Sequence, residues 1–101
     1  MNLLSNIPDN LTEEVFEDII SKDQIRIERI VSNGHCTKPG EWYDQEKNEW
    51  VLILKGSGVI EYEDGEKASL SVGDHLLLPK GVKHRVAQTE KPTIWLAAHF
   101  D

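Results

Sequence analysis

The sequence predicts an all-β sandwich or barrel. Short apolar runs recur at intervals of roughly ten residues. Turn-forming pairs such as Asp64-Gly65 and Gly73-Asp74 separate them. No stretch sustains a helical period long enough for a convincing helix. A chain of 101 residues accommodates one ordinary domain and not two. We therefore read residues 1–11 as an N-terminal arm, broken at Pro8-Asp9-Asn10, and residues 12–101 as a single β domain.

Taken in order, "EVFEDII" also fits a helical face through Val15, Phe16, Ile19 and Ile20, but its β-branched and aromatic content favours a strand. "IRIERIVS" alternates, with Ile25, Ile27 and Val31 on one face and Arg26 and Glu28 on the other. "WVLILKG" reads as a strand buried on both sides. "GVIEYEDGE" runs into Asp64-Gly65, a hairpin signal whose tightest form needs positive φ at both central residues. "KASLSVGD", "HLLLP", "HRVAQT" and "TIWLAAHF" supply the remaining strands.

Eighteen acidic residues against eleven basic ones give a formal net charge of -7. With no basic cluster against that background, nucleic acid and anionic membrane surfaces are excluded as expected partners. One cysteine, Cys36, allows no intrachain disulfide. The N-terminus shows neither a basic leader nor a long apolar core, so a cytoplasmic location is expected. "GSG" at Gly56 to Gly58 is a turn, too short for a phosphate loop.

Two segments resemble the paired motifs of the cupin superfamily. In "GDHLLLPKGVKHRVAQ", Gly73, Pro79, Gly81 and His84 match the second motif in register, and Gln88 stands where an asparagine is usual. Glu49 and Gly56 match the acid and glycine that end the first motif. Its His-x-His is absent: a three-residue gap before the acid puts Tyr43 and Gln45 there, and a four-residue gap puts Trp42 and Asp44 there. The resemblance runs from about Ile25 to Phe100 and is nearest to small single-domain bacterial cupins. It implies a jelly-roll, or double-stranded β-helix, barrel that holds any metal inside one end.

On alternating strands, Glu49 shares a face with Val51 and Ile53, and His84 with Val86 and Gln88. Each polar residue begins an aliphatic face, which is the composition of a small-molecule pocket with polar groups at its mouth. The expected metal-ligating residues are Gln45, Glu49, His84 and Asp44. Gln45 is favoured on spacing, whereas Asp44 is the better ligand chemically because it is an anion. Tyr43, Gln88 and His99 are the further pocket candidates. If the aliphatic residues Ile94, Leu96, Ala98 and Phe100 face the core, His99 points outward or into a dimer contact; if the barrel inverts that choice, His99 becomes a ligand or proton shuttle.

A set of one histidine and several oxygens suits a divalent ion such as zinc, manganese, iron or nickel. The expected function is a barrel binding that ion or a small polar ligand. The alternatives are a metal-dependent oxygenase or isomerase acting on a small polar substrate, and a metal-free structural barrel. No catalytic residue is assigned. His35 and Cys36, adjacent and so on opposite faces if extended, are not expected to share a metal. A homodimer is expected, since pairing removes exposed sheet edges.

Overall fold

Eight strands form where the alternating runs lie: β1 (Val15–Ser21), β2 (Ile25–Ser32), β3 (Asn48–Lys55), β4 (Gly58–Tyr62), β5 (Lys67–Leu70), β6 (His75–Leu78), β7 (His84–Thr89) and β8 (Thr93–Phe100). The structure is a computed structural model that describes residues 2–9 and 11–101; Asn10 of the predicted breaker cluster lies outside the described residues. A five-stranded antiparallel sheet in the order β1-β2-β8-β3-β6 faces a three-stranded sheet in the order β5-β4-β7. Among the described residues no helix is long and apolar enough to cross a membrane.

The hydrophobic core lies between the sheets. Ile30, Val51, Ile53, Ile60, Leu70, Leu78, Trp95 and Ala97 form one buried cluster. Each fully buried aliphatic side chain stabilises the fold by roughly 1.5–3 kcal/mol relative to exposure. Trp95 packs so tightly across β4 that a Cβ added to Gly58 would lie 2.5 Å from its Cη2. Only a residue without a side chain fits there.

Pairing decides which face of each strand turns inward. In β3 the alternation is as the sequence suggests, with Glu49, Val51 and Ile53 buried. Residues directly opposite share a face. His99 is opposite Glu49, Ala97 opposite Val51 and Trp95 opposite Ile53, so the inner face of β8 is Trp95, Ala97 and His99. The aliphatic face that ends in Phe100 is the outer one. The same register carries inward Ile30, opposite Trp95, and Glu28, opposite Ala97. This corrects the reading of β2, whose Ile25 face turns out to be the outer one.

The outer face of β2 is nevertheless buried at Arg29 and Val31. Arg29 donates hydrogen bonds to the carbonyls of Leu3 (3.0 Å), Ser5 (2.8 Å) and Asn6 (3.3 Å) and pairs with Glu17 at 2.6 Å. The arm is thereby held against the sheet. On β1, at the sheet edge, Phe16, Ile19 and Ile20 remain exposed.

Two local expectations are corrected. At Asp64-Gly65 only Gly65 has positive φ (91°); its N–H donates to the Tyr62 carbonyl at 2.9 Å, which is a type I turn closed by a left-handed glycine. In β7 the register passes from Val59 opposite Gln88 to Ile60 opposite Val86. Ala87 is therefore an extra, bulged residue. It reverses the alternation, so Gln88 is exposed and Thr89 is buried.

Candidate functional site

Between the sheets lies a cavity of about 380 Å³. Its floor is aliphatic and aromatic, from Ile30, Val51, Ile60, Leu78, Val86 and Trp95, and its polar groups are Glu28, Gln45, Glu49, His84 and His99. Phe16, Arg26 and Tyr43 are the lining residues that reach solvent, and Glu14 is half-buried beside them. A more open depression of about 530 Å³ adjoins it and shares Arg26, Gln45 and His99, adding Lys22 and Lys47. We place the chemistry in the first, because the buried ionisable groups converge there.

Glu49 lies at the centre of the polar cluster. Its Oε1 is 3.9 Å from His84 Nε2 and its Oε2 is 3.7 Å from His99 Nε2. Burial, the dominant effect, raises its carboxyl above the usual carboxylate range; the charges of His99 and His84 and a side-chain hydrogen bond from Gln45 act in the opposite direction. His99 Nε2 lies 2.8 Å from Glu28 Oε1, in a pair that is buried on both sides. His84 Nδ1 is 3.2 Å from the Val82 carbonyl. A proton on Nδ1 satisfies that contact and leaves the Nε2 lone pair facing Glu49.

Tyr43 and His84 are tied together outside the regular strands. Tyr43 N–H donates to the His84 carbonyl at 2.7 Å, and His84 N–H donates back at 3.1 Å. This single bridge sets the register of the segment that carries Tyr43 and Gln45. Tyr43 and Gln45 line the cavity, whereas Asp44 is exposed and absent from the lining. Asp44 is therefore corrected from a candidate ligand to a surface residue. Burial raises the Tyr43 hydroxyl above its ordinary range, with Glu14 as the next contributor.

Gln88 is likewise corrected: the Ala87 bulge turns it to solvent, outside the cavity lining. His99 is inside, by the inverted face of β8. Glu28 was not anticipated, although strand alternation already grouped it with Arg26 on one face. His75 is on the outer side, accepting a hydrogen bond from Trp50 Nε1 at 3.2 Å. His35 Nδ1 accepts from Asn33 N–H at 2.9 Å and Cys36 is exposed, so neither contributes to the cavity.

The donors fit a divalent cation. Glu28, Glu49 and His99 each present one ligand atom, all within 4.8 Å of one another. Gln45 Oε1 is buried without a hydrogen-bond partner, an uncompensated oxygen in a setting where such groups are normally satisfied.

Comparison with known proteins agrees with this architecture. The family described as Cupin domain matches residues 30–99. A candidate mannose-6-phosphate isomerase from Ralstonia eutropha JMP134 superposes with a TM-score of 0.96 at 39% identity, covering 100% of this chain and 96% of that one. A cupin superfamily protein from Desulfitobacterium hafniense DCB-2 shares the fold, with a TM-score of 0.79 at 18% identity over 93% of this chain and 83% of its own. Uncharacterized protein YdbB of Bacillus subtilis (strain 168) is 35% identical over 60 residues, 52% of this chain. The gentisate 1,2-dioxygenase of Ralstonia sp is 36% identical over 62 residues, 57% of this chain. The chain spans about half the length of the first of these curated relatives, 53%, and 18% of the second. With the matched motifs, the two facing sheets and the inward-turned polar cluster, the chain belongs to the cupin family.

Proposed function

We propose that the barrel binds a divalent ion beside Glu49, with Gln45 and His84 as the motif positions nearest it, and holds a small polar ligand over the apolar floor. The observation that carries this reading is the convergence of buried carboxylate, imidazole and unpartnered amide oxygen at one end of an otherwise apolar cavity. When bound, such an ion would supply Lewis acidity to an oxygen of the ligand. The protein's own groups orient that ligand and exclude water: Trp95 and Val51 close the floor, and Tyr43 and Arg26 flank the opening.

Lys22, Arg26 and Lys47 line the adjoining depression, opposed there by Glu46, and Lys47 also pairs with Asp101 at 3.8 Å. In a chain of net charge -7 this local excess of cations favours an anionic ligand at the mouth. Gentisate and mannose-6-phosphate, in the names of two similar proteins, are both small oxygen-rich anions. A metal-dependent isomerase or oxygenase is the second reading, favoured by the Glu28 and His99 pair, whose 2.8 Å contact suits proton transfer. We extend the proposal to a homodimer formed through the exposed apolar side chains of β1; sedimentation at the monomer mass would exclude it.

The test is metal analysis of tag-free protein beside Glu49→Ala and His84→Ala. A stoichiometric ion in the wild type and its loss from both variants is the expected result. Wild-type protein without an ion, or equal retention by both variants, overturns the proposal.

A further inference from the structure

The first motif lacks both of its histidines, yet the cavity contains two imidazoles. One, His84, comes from the second motif. The other, His99, comes from β8, and no part of the paired motifs leads to it. Beside it stands Glu28 of β2, also outside the motifs and also buried. We infer that Glu28 and His99 stand in for the two missing histidines, so that the ion is held by a two-histidine, two-glutamate set drawn from β2, β3, β7 and β8. This inference rests on the metal-binding reading above and assigns two ligands which that reading does not require.

Three geometric facts support the set. First, the separations of Glu49 from His84 Nε2 and from His99 Nε2, 3.9 and 3.7 Å, are too long for hydrogen bonds. Each is close to the spacing of two donors on a common ion, about 3.4 Å for tetrahedral zinc with bonds of about 2.1 Å; Glu28, Glu49 and His99 have ligand atoms all within 4.8 Å of one another, and His84 reaches the same carboxylate through its other oxygen. Second, the same nitrogen of His99 addresses both carboxylates. Its contact with Glu28 is the one direct hydrogen bond in the group, and an ion replaces a proton there. Third, the two imidazoles differ in what holds them. Val82 fixes His84 with Nε2 directed at Glu49, whereas His99 is held in place by strand pairing, between Arg26 on one neighbour and Glu49 on the other.

The sequence pattern agrees with this substitution. An interior face that carries a histidine and a glutamate among Ile30, Trp95 and Ala97 buries charge without need unless the two have a partner. Their mutual contact engages His99 Nε2 and Glu28 Oε1, and the same nitrogen lies 3.7 Å from Glu49 Oε2. Two buried carboxylates in that position repel each other, and a divalent cation removes the repulsion. The set has a mechanical corollary: three of its members belong to the five-stranded sheet and His84 to the three-stranded sheet. Binding therefore clips the sheets together at the open end, which gives a readout independent of any activity.

The experiment is a chelator-competition titration of metal-stripped, tag-free protein with Zn2+ and with Mn2+, on wild type, Glu28→Gln, His99→Gln and His84→Gln, together with thermal melts with and without each ion. We expect Glu28→Gln and His99→Gln each to weaken binding at least about tenfold and to abolish most of the ion-induced rise in melting temperature. Glu28→Gln keeps the side-chain shape and remains decisive if His99→Gln fails to fold. If wild type and both variants bind alike while His84→Gln is impaired, Glu28 and His99 are not ligands and the metal-binding proposal survives without them. If wild type binds neither ion, both readings fall.

Discussion

The Trp95 indole packs directly against Gly58, leaving no room for a side chain: a Cβ at position 58 would come within 2.5 Å of Cη2. Gly58→Ala therefore has to displace the ring or the strand. The expected cost is about 1–3 kcal/mol, read as a lower urea midpoint with an unchanged m-value. A variant as stable as wild type would show that Trp95 moves freely, and the floor of the cavity would then be soft.

Glu49 carries a stability cost in the metal-free protein. Because burial raises its carboxyl, the folded state binds a proton more tightly than the unfolded chain. The contribution of Glu49 to the metal-free fold is therefore fully present below the ordinary carboxylate range and is lost as pH rises through the raised folded value. Glu49→Gln should melt higher than wild type in chelator near neutral pH, by about 4–8 °C for each kcal/mol relieved, with the gap closing toward about pH 4. Melts across that range check it; a variant that melts lower at every pH contradicts the assignment.

Arg29 is the clasp of the N-terminal arm, and its hydrogen bonds to the carbonyls of Leu3, Ser5 and Asn6 have no substitute in a lysine. Arg29→Lys should cost on the order of 2 kcal/mol and speed hydrogen exchange at residues 3–6. Exchange unchanged from wild type would mean that apolar packing alone holds the arm.

Cys36 offers a negative control. It is exposed and outside the cavity lining, next to His35, whose carbonyl accepts the Thr89 hydroxyl. Thiol reagents should label it in the folded protein, and Cys36→Ser should leave Zn2+ affinity within about twofold of wild type. A larger loss would count against the proposed site.

Much of this structure is legible in the chain, and the illegible parts share a cause. The strands announce themselves through alternation, and the second motif places His84 by its turn residues. Alternation divides a strand into two faces without saying which is inner, and that ambiguity matters in β2 and β8, where the outer faces are apolar too. There Val31 and Ile94 are fully buried on the outer side, so hydrophobicity could not choose. Pairing with β3 chose instead, and brought in Glu28 and His99. Gln88 was misplaced because a bulge leaves no mark in composition. The choice between Asp44 and Gln45 depended on one bridge between Tyr43 and His84, a long-range contact that no local pattern encodes.

The polarity of the cavity also runs in one direction. Along β3 the inner face passes from Glu49 to Val51 to Ile53, and along β8 from His99 to Ala97 to Trp95, so the charged groups stand nearer the opening and the greasy ones at the closed end. Under the proposed function, a guest with one oily and one charged part would go in oily part first. Its charged part would then stop beside Glu49 and His99, and any chemistry of the barrel would fall on the end that arrives last.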